Sequence, residues 1–261
     1  MHPYSSSLRR LIASIALAVA AMSRSADAGP PHGGADAAWQ FQIAPYVWAA
    51  GIQGSVATLP SLPTVDVDEG FDDTIRNPDL AFMLLGEARR GRWGLWADLV
   101  YLSLSPDAST PGRLFGDVDM DSTTVFGTAA VTYRPFETDG ATLDFGAGAR
   151  LWHVETELEF GAGSLPAVRS EETKSWADPI LLAHGRAALG SGFYLFGYGD
   201  IGGFSAASDL TWQIIGLVGY RFADWIEGAA GYRYLSVDFK DDGFVWNVDL
   251  SGPVLGVTFR F

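Results

Sequence analysis

From Trp39 to the C-terminal Phe261, apolar side chains alternate with polar or small ones, in segments of roughly ten residues separated by turn residues. In 143–153, Leu143, Phe145, Ala147, Ala149 and Leu151 share one face, while Asp144, Gly146, Gly148, Arg150 and Trp152 share the other. In 212–222, Trp212, Ile214, Gly216, Val218, Tyr220 and Phe222 line up against Gln213, Ile215, Leu217, Gly219 and Arg221. The last segment sets Leu255, Val257, Phe259 and Phe261 against Gly256, Thr258 and Arg260. A period of two is the signature of a strand, and a helix would mix the two sets around its circumference.

Applied along the chain, the pattern predicts an all-β, antiparallel transmembrane β-barrel of about ten strands. They fall near 39–56, 79–90, 93–105, 121–134, 141–158, 177–190, 192–204, 209–222, 225–238 and 247–261. Short turns are expected at Arg90-Gly91-Arg92, from Pro135 to Gly140, at Gly190-Ser191-Gly192 and at Ala223-Asp224. Longer loops are expected at 57–78, 106–120, 159–176 and 239–246. Short periplasmic turns opposite longer outer loops are the asymmetry of such barrels. The segment Ser205–Ser208 is short for an outer loop, which keeps eight or twelve strands open.

Aromatic residues give a second line of argument. Trp39, Trp93, Tyr133, Phe193, Phe222, Trp225 and Phe261 fall at one set of strand ends, and Trp48, Tyr101, Trp152, Trp212 and Tyr234 near the other. Amphipathic rings favour the headgroup level, so the two sets are expected to form two girdles.

The first residues read as an export signal. Arg9 and Arg10 precede an apolar run from Leu11 to Met22, too short to span a bilayer, and Ala26-Asp27-Ala28 supplies a small-x-small cleavage pattern. Residues 1–28 are therefore expected to be a signal peptide cleaved after Ala28, 29–38 a flexible Pro/Gly-rich leader, and 39–261 the barrel. The chain's net charge is −14. Residues 1–28 hold three arginines against one aspartate, so the mature chain stands at −16. That charge argues against a nucleic-acid partner. With no cysteine, thiolate metal sites and thiol nucleophiles are excluded.

The strand Gly252–Phe261 ends on an aromatic residue, with Phe259 and Val257 at alternate positions, and resembles the C-terminal signal by which bacterial outer-membrane barrels engage their assembly machinery. The runs Gly199-Asp200-Ile201-Gly202-Gly203-Phe204 and Ser208-Asp209-Leu210-Thr211-Trp212-Gln213 resemble a family of uncharacterised Gram-negative outer-membrane proteins. Gly219-Tyr220-Arg221, Gly231-Tyr232-Arg233-Tyr234, Pro45-Tyr46-Val47-Trp48 and Asp178-Pro179 carry the same resemblance. In architecture the chain is similar to small barrels of the OmpA and OmpW type. The resemblance implies an outer-membrane location, with outer-membrane lipid, lipopolysaccharide and the barrel assembly machinery as partners. It implies no activity.

On the face opposite lipid the alternation places Glu87, Arg89, Asp98, Asp144, Arg150, His184, Arg186, Asp200, Arg221, Glu227, Arg233 and Arg260. Buried charges must pair or meet water. In a lumen of about ten strands, side chains fill much of the space. Two readings follow: a charge-paired plug that gives the barrel a structural or surface-interaction role, or a narrow porin-like path for small solutes or ions. The outer loops are expected to be acidic, with Asp66, Asp68, Glu69, Asp72, Asp73, Asp117, Asp119, Asp121, Glu171, Glu172, Asp241 and Asp242. These are either solvated charge or weak divalent-cation sites bridging to lipopolysaccharide phosphates.

A third reading is a lipid-modifying enzyme. Of the mature chain's histidines, His32, His153 and His184, only His153 lies near an outer rim, and the residue two beyond it is Glu155 rather than a serine. Ser103 and Ser105 are the candidate neighbours in space. No Gly-x-Ser-x-Gly, zinc-ligand spacing or phosphate loop occurs, so no catalytic residue, metal or cofactor is expected.

Overall fold

The computed structural model describes residues 38–58, 63–70, 82–105, 107–109 and 117–261. The expected signal peptide, nearly all of the leader, and Asp72 and Asp73 lie outside the described residues.

The strands are β1 (Gln40–Trp48), β2 (Gly51–Ala57), β3 (Val65–Glu69), β4 (Phe82–Arg90), β5 (Trp93–Leu104), β6 (Asp107–Ser109), β7 (Val118–Glu137), β8 (Ala141–Phe160), β9 (Val168–Gly190), β10 (Phe193–Gly202), β11 (Leu210–Ala223), β12 (Ile226–Asp241) and β13 (Phe244–Arg260). Every pairing is antiparallel, and the sheet closes where β1 meets β13. The result is a closed barrel with ten staves. β1 and β2 run along the same partner: Gln42 to Trp48 face Arg260 to Val254, and Gly51 to Ala57 face Ser251 to Val245. They are one stave broken at Ala49-Ala50. Gly252 sits opposite that break, where any Cβ would collide with the Ala49 carbonyl. β3 pairs with β2 and β6, and β6 pairs with β7, so these short strands continue the wall above the β4–β5 hairpin.

Along β8 and β12 the parity holds from end to end, but the chemistry on each side changes. On β8, Leu143, Phe145 and Leu151 point outward and are exposed, while Asp144 and Arg150 point inward and are buried. Beyond Leu151 the outward residues become Glu155, Glu157 and Glu159, and the inward ones Val154, Leu158 and Phe160. β12 makes the same exchange: outward Tyr232 and inward Arg233 give way to outward Asp238 and Lys240 and inward Val237 and Phe239. The lower half is therefore apolar outside and charged inside. The upper half has a polar wall around an apolar core.

That core contains Trp48, Ile52, Phe126, Trp152, Leu158, Phe160, Trp176, Leu235, Phe244, Trp246 and Leu250, with Trp48 and Trp246 at 2 % and 1 % exposure. Trp176 and Phe239 stack at 3.9 Å between ring centroids. Each large side chain so buried contributes about 1.5–3 kcal/mol. The lower exterior carries Val131, Leu181, Leu195, Ile214, Val218 and Leu255, all exposed. An apolar belt of this extent on the outside of a closed barrel is a surface for lipid.

Two expectations are corrected. The outer loops are mostly strand: β7 begins at Val118, β8 runs to Phe160, β9 begins at Val168, and 239–246 is a hairpin turning at Asp242-Gly243. Asp242 and Gly243 both adopt positive φ, 46° and 87°, the requirement of a tight two-residue turn that Asp-Gly meets cheaply. The acidic residues Asp66, Asp68, Asp119, Asp121, Glu171 and Glu172 accordingly lie on strands rather than in loops.

The upper girdle also loses two members. Trp48 and Trp152 are buried inside the barrel, because each shares parity with the inward row of its strand. Trp212 and Tyr234 do stack on the outer wall at 5.0 Å. At the lower rim Trp39, Trp93, Tyr133, Phe193, Phe222, Trp225 and Phe261 are all exposed. Phe259 stacks with Trp225 at 6.3 Å, which packs the final strand into that girdle.

Candidate functional site: a layered lumen

The inward rows of the lower half build three charged layers. Nearest the short turns, Glu227 takes both terminal nitrogens of Arg186, at 2.7 and 2.8 Å. It also accepts from Arg221 Nε and from an Arg260 guanidinium nitrogen, each at 3.0 Å. The Arg186 guanidinium lies 3.3 Å from the Tyr194 ring centroid. Gly219 makes room for that ring, since a Cβ there would overlap it.

In the next layer, Arg89 bridges two carboxylates. Its Nε donates to Glu87 at 2.9 Å and a terminal nitrogen to Asp144 at 2.6 Å. Gln42 also donates to Glu87. Arg134 closes on Asp144 from the other side at 3.0 and 3.1 Å. His184 stands 3.8 Å from Asp144, with its ring over Trp96 at 4.6 Å.

The third layer joins the two most deeply buried arginines. Arg233 reaches Asp98 at 3.1 Å, and Tyr46 and Gln213 at 2.7 Å each. Tyr46 donates to Asp98 at 2.6 Å. Gln213 and Tyr198 donate to Asp200 at 2.6 and 2.7 Å. Arg150 pairs with the same carboxylate and donates to Thr128 and Thr211 at 3.1 and 3.2 Å. The Arg233 guanidinium lies 4.6 Å from the Trp48 ring, so this layer passes directly into the apolar core. Buried guanidinium groups in this position are tolerated because the planar fork meets several acceptors at once and stacks on rings.

All twelve charged residues expected at the lumen stand in these layers. The sequence reading missed Arg134 and Asp178. Arg134 has the inward parity of β7 but sits at the bulge between Tyr133 and Phe136, where the strand was expected to end. Asp178 has the inward parity of Ile180, Leu182 and His184. It is fully buried and accepts from Trp152 Nε1, Trp176 Nε1, Ser208 N and Ser208 Oγ, at 2.9, 3.2, 2.8 and 2.7 Å. Asp178 thereby pins the 203–209 connection to β8 and β9. Asp178→Ala is expected to lower stability by about 3 kcal/mol, because buried donors lose their acceptor. Hydrogen exchange of 203–209 should accelerate in the same variant, and unchanged exchange there would contradict the role.

On the outer wall, His153 Nδ1 lies 2.7 Å from Ser175 Oγ and its Nε2 lies 3.4 Å from Glu155. Ser105, an expected neighbour of His153, instead donates to Asp121 at 2.6 Å. Lys174 donates to Asp241 at 2.9 Å, and that hydrogen bond raises the ammonium pKa. Among the described residues no cluster of three or more His, Asp or Glu side chains has metal-binding geometry.

No family profile matches the chain, and no curated protein matches it in sequence. Solved structures do match in fold. The outer membrane protease OmpT from Escherichia coli superposes with a TM-score of 0.55 at 9 % identity, over 85 % of this chain and 96 % of that one. The translocator domain of the autotransporter NalP from Neisseria meningitidis matches at 0.41 and 11 % identity, over 99 % and 98 %. The attachment invasion locus protein Ail of Yersinia pestis matches at 0.35 and 13 % identity, over 86 % and 99 %. At such identities the likeness to OmpT is one of fold. With closed antiparallel pairing, an apolar exterior belt and an aromatic lower rim, the chain is an integral β-barrel of the outer-membrane class.

Proposed function

We propose that this barrel is a sealed structural element that presents a rigid polar collar beyond the bilayer, rather than a pore. The observation that carries the reading is the upper core. Phe126, Val154, Leu158, Leu235 and Val237 are at 0 % exposure directly above a layer in which Arg150 and Arg233 are also at 0 %. Water and ions need a continuous polar path, and close-packed apolar side chains remove it. Below that seal, the paired charges tie β1, β4, β5, β7, β8, β9, β10, β11, β12 and β13 together through their side chains. The outward carboxylates of Glu155, Glu171 and Asp119, beside Glu157 and Glu159, which pair with Arg169, form the face available to partners, including divalent cations shared with lipopolysaccharide.

Single-channel recording on refolded protein tests the reading. No stepwise conductance is expected across planar bilayers. Reproducible steps of fixed size would replace the seal with the narrow-channel alternative. Calorimetric titration with Ca²⁺ tests the cation part separately, and an absence of heat removes it.

A further inference from the structure

Below the third charged layer the lumen is not filled. A cavity of about 720 Å³ opens at the short-turn end, the periplasmic side in barrels of this class, and is closed above by Asp98, Tyr46 and Arg233. A blind cavity of that size lies within the range of small-molecule sites. Its chemistry changes with depth. At the mouth, three guanidinium groups from Arg186, Arg221 and Arg260 share the single carboxylate of Glu227. The Arg221 and Arg260 side chains stay 47 % and 33 % exposed. Two other carboxylates at the opening, Asp139 and Asp224, stand on exposed turns and pair with none of the three guanidinium groups. The inner carboxylates Glu87 and Asp144 are already held by Arg89 and Arg134. Positive charge is therefore in excess around Glu227. Between these layers the wall is apolar: Leu85, Phe196 and Leu217 remain partly exposed in the lumen, packed on Trp96, Tyr198 and Ile215.

We infer that this cavity is a binding site for a small organic anion with an apolar body, entering from the short-turn end. The acid group meets Arg221 and Arg260, whose donors are only partly engaged by Glu227. The body covers the Leu85, Phe196 and Leu217 wall, removing apolar surface from water. The inference goes beyond the sealed-barrel reading and uses the seal as the floor of the site.

The test is calorimetry of the mature barrel in lipid nanodiscs with 2-naphthoate as probe, with empty nanodiscs as the blank. One saturable site per barrel is expected. The neutral analogue 2-naphthalenemethanol should bind about tenfold more weakly, as should 2-naphthoate to Arg221→Gln, each having lost a charge-assisted contact. Ala229→Phe, whose side chain enters the cavity above Glu227, should abolish binding in a barrel that still shows folded, heat-modifiable migration on gels. Should that variant not fold, Leu217→Trp serves the same purpose. Absence of saturable heat above the blank, or binding indifferent to both the probe's charge and the filling variant, overturns the inference and leaves a water-filled cavity only. Conductance is read separately, so a leaking seal and an empty cavity give different results.

Discussion

Arg150→Ala is expected to cost the barrel about 3–5 kcal/mol, among the largest single losses available in the lumen. The arginine is at 0 % exposure and is held by Asp200, Thr128 and Thr211 on three other strands. Its removal leaves Asp200 buried with only the neutral donors Gln213 and Tyr198. Losing the ion pair and creating a void act in the same direction. Urea unfolding from lipid vesicles measures the loss, and a cost below about 1 kcal/mol would show that water already reaches this layer. The double variant Arg150→Leu with Asp200→Leu separates charge from packing. Replacing both partners with apolar groups should recover most of the stability, because the penalty of the single variant lies in the stranded carboxylate.

A second large effect tests where the membrane ends. Leu181 faces outward on β9 at 55 % exposure, in the apolar belt. Leu181→Arg should cost about 2–4 kcal/mol, the worth of a guanidinium placed in hydrocarbon. Thr173 lies on the same outward row of the same strand, level with Glu155 on β8. Thr173→Arg should change stability by less than about 0.5 kcal/mol, because that level is in water. Both substitutions keep the strand's parity and differ only in height. Equal costs would mean that the lipid boundary does not fall near Leu151 and Ser175, where the outer wall turns from apolar to acidic.

Much of the fold was legible because strand parity is a local property of the chain. Asp144, Arg150 and Arg233 could be placed inside from their neighbours alone, since successive side chains point to opposite faces. The short turns were legible from Gly91 and from Gly190-Ser191-Gly192, which adopt positive φ in the structure. The upper wall was not. Its strands keep the inward–outward alternation but exchange the chemistry of the two faces, so the stretch holding Glu159, Glu171 and Glu172 resembles a solvated loop when apolar-out is taken as the rule. Trp48 and Trp152 misled for a related reason: an aromatic near a strand end suits a girdle, yet parity turned both rings inward.

What the sequence by itself determined is the alternation that turns successive side chains inward and outward, and a barrel of about ten strands. Both follow from covalent geometry and from the spacing of turns. What only the tertiary structure decided is which charge meets which. Arg233 finds Tyr46 across 187 positions of sequence, and Arg89 finds Asp144 across 55. Such partners are set by closure of the sheet, which brings the first stave against the last, and by stave curvature, which converges side chains from strands that never pair. Closure also divided the interior into an apolar upper core and a lower cavity. That division comes from how much volume the inward side chains fill at each height, and a linear pattern of polarity does not carry it.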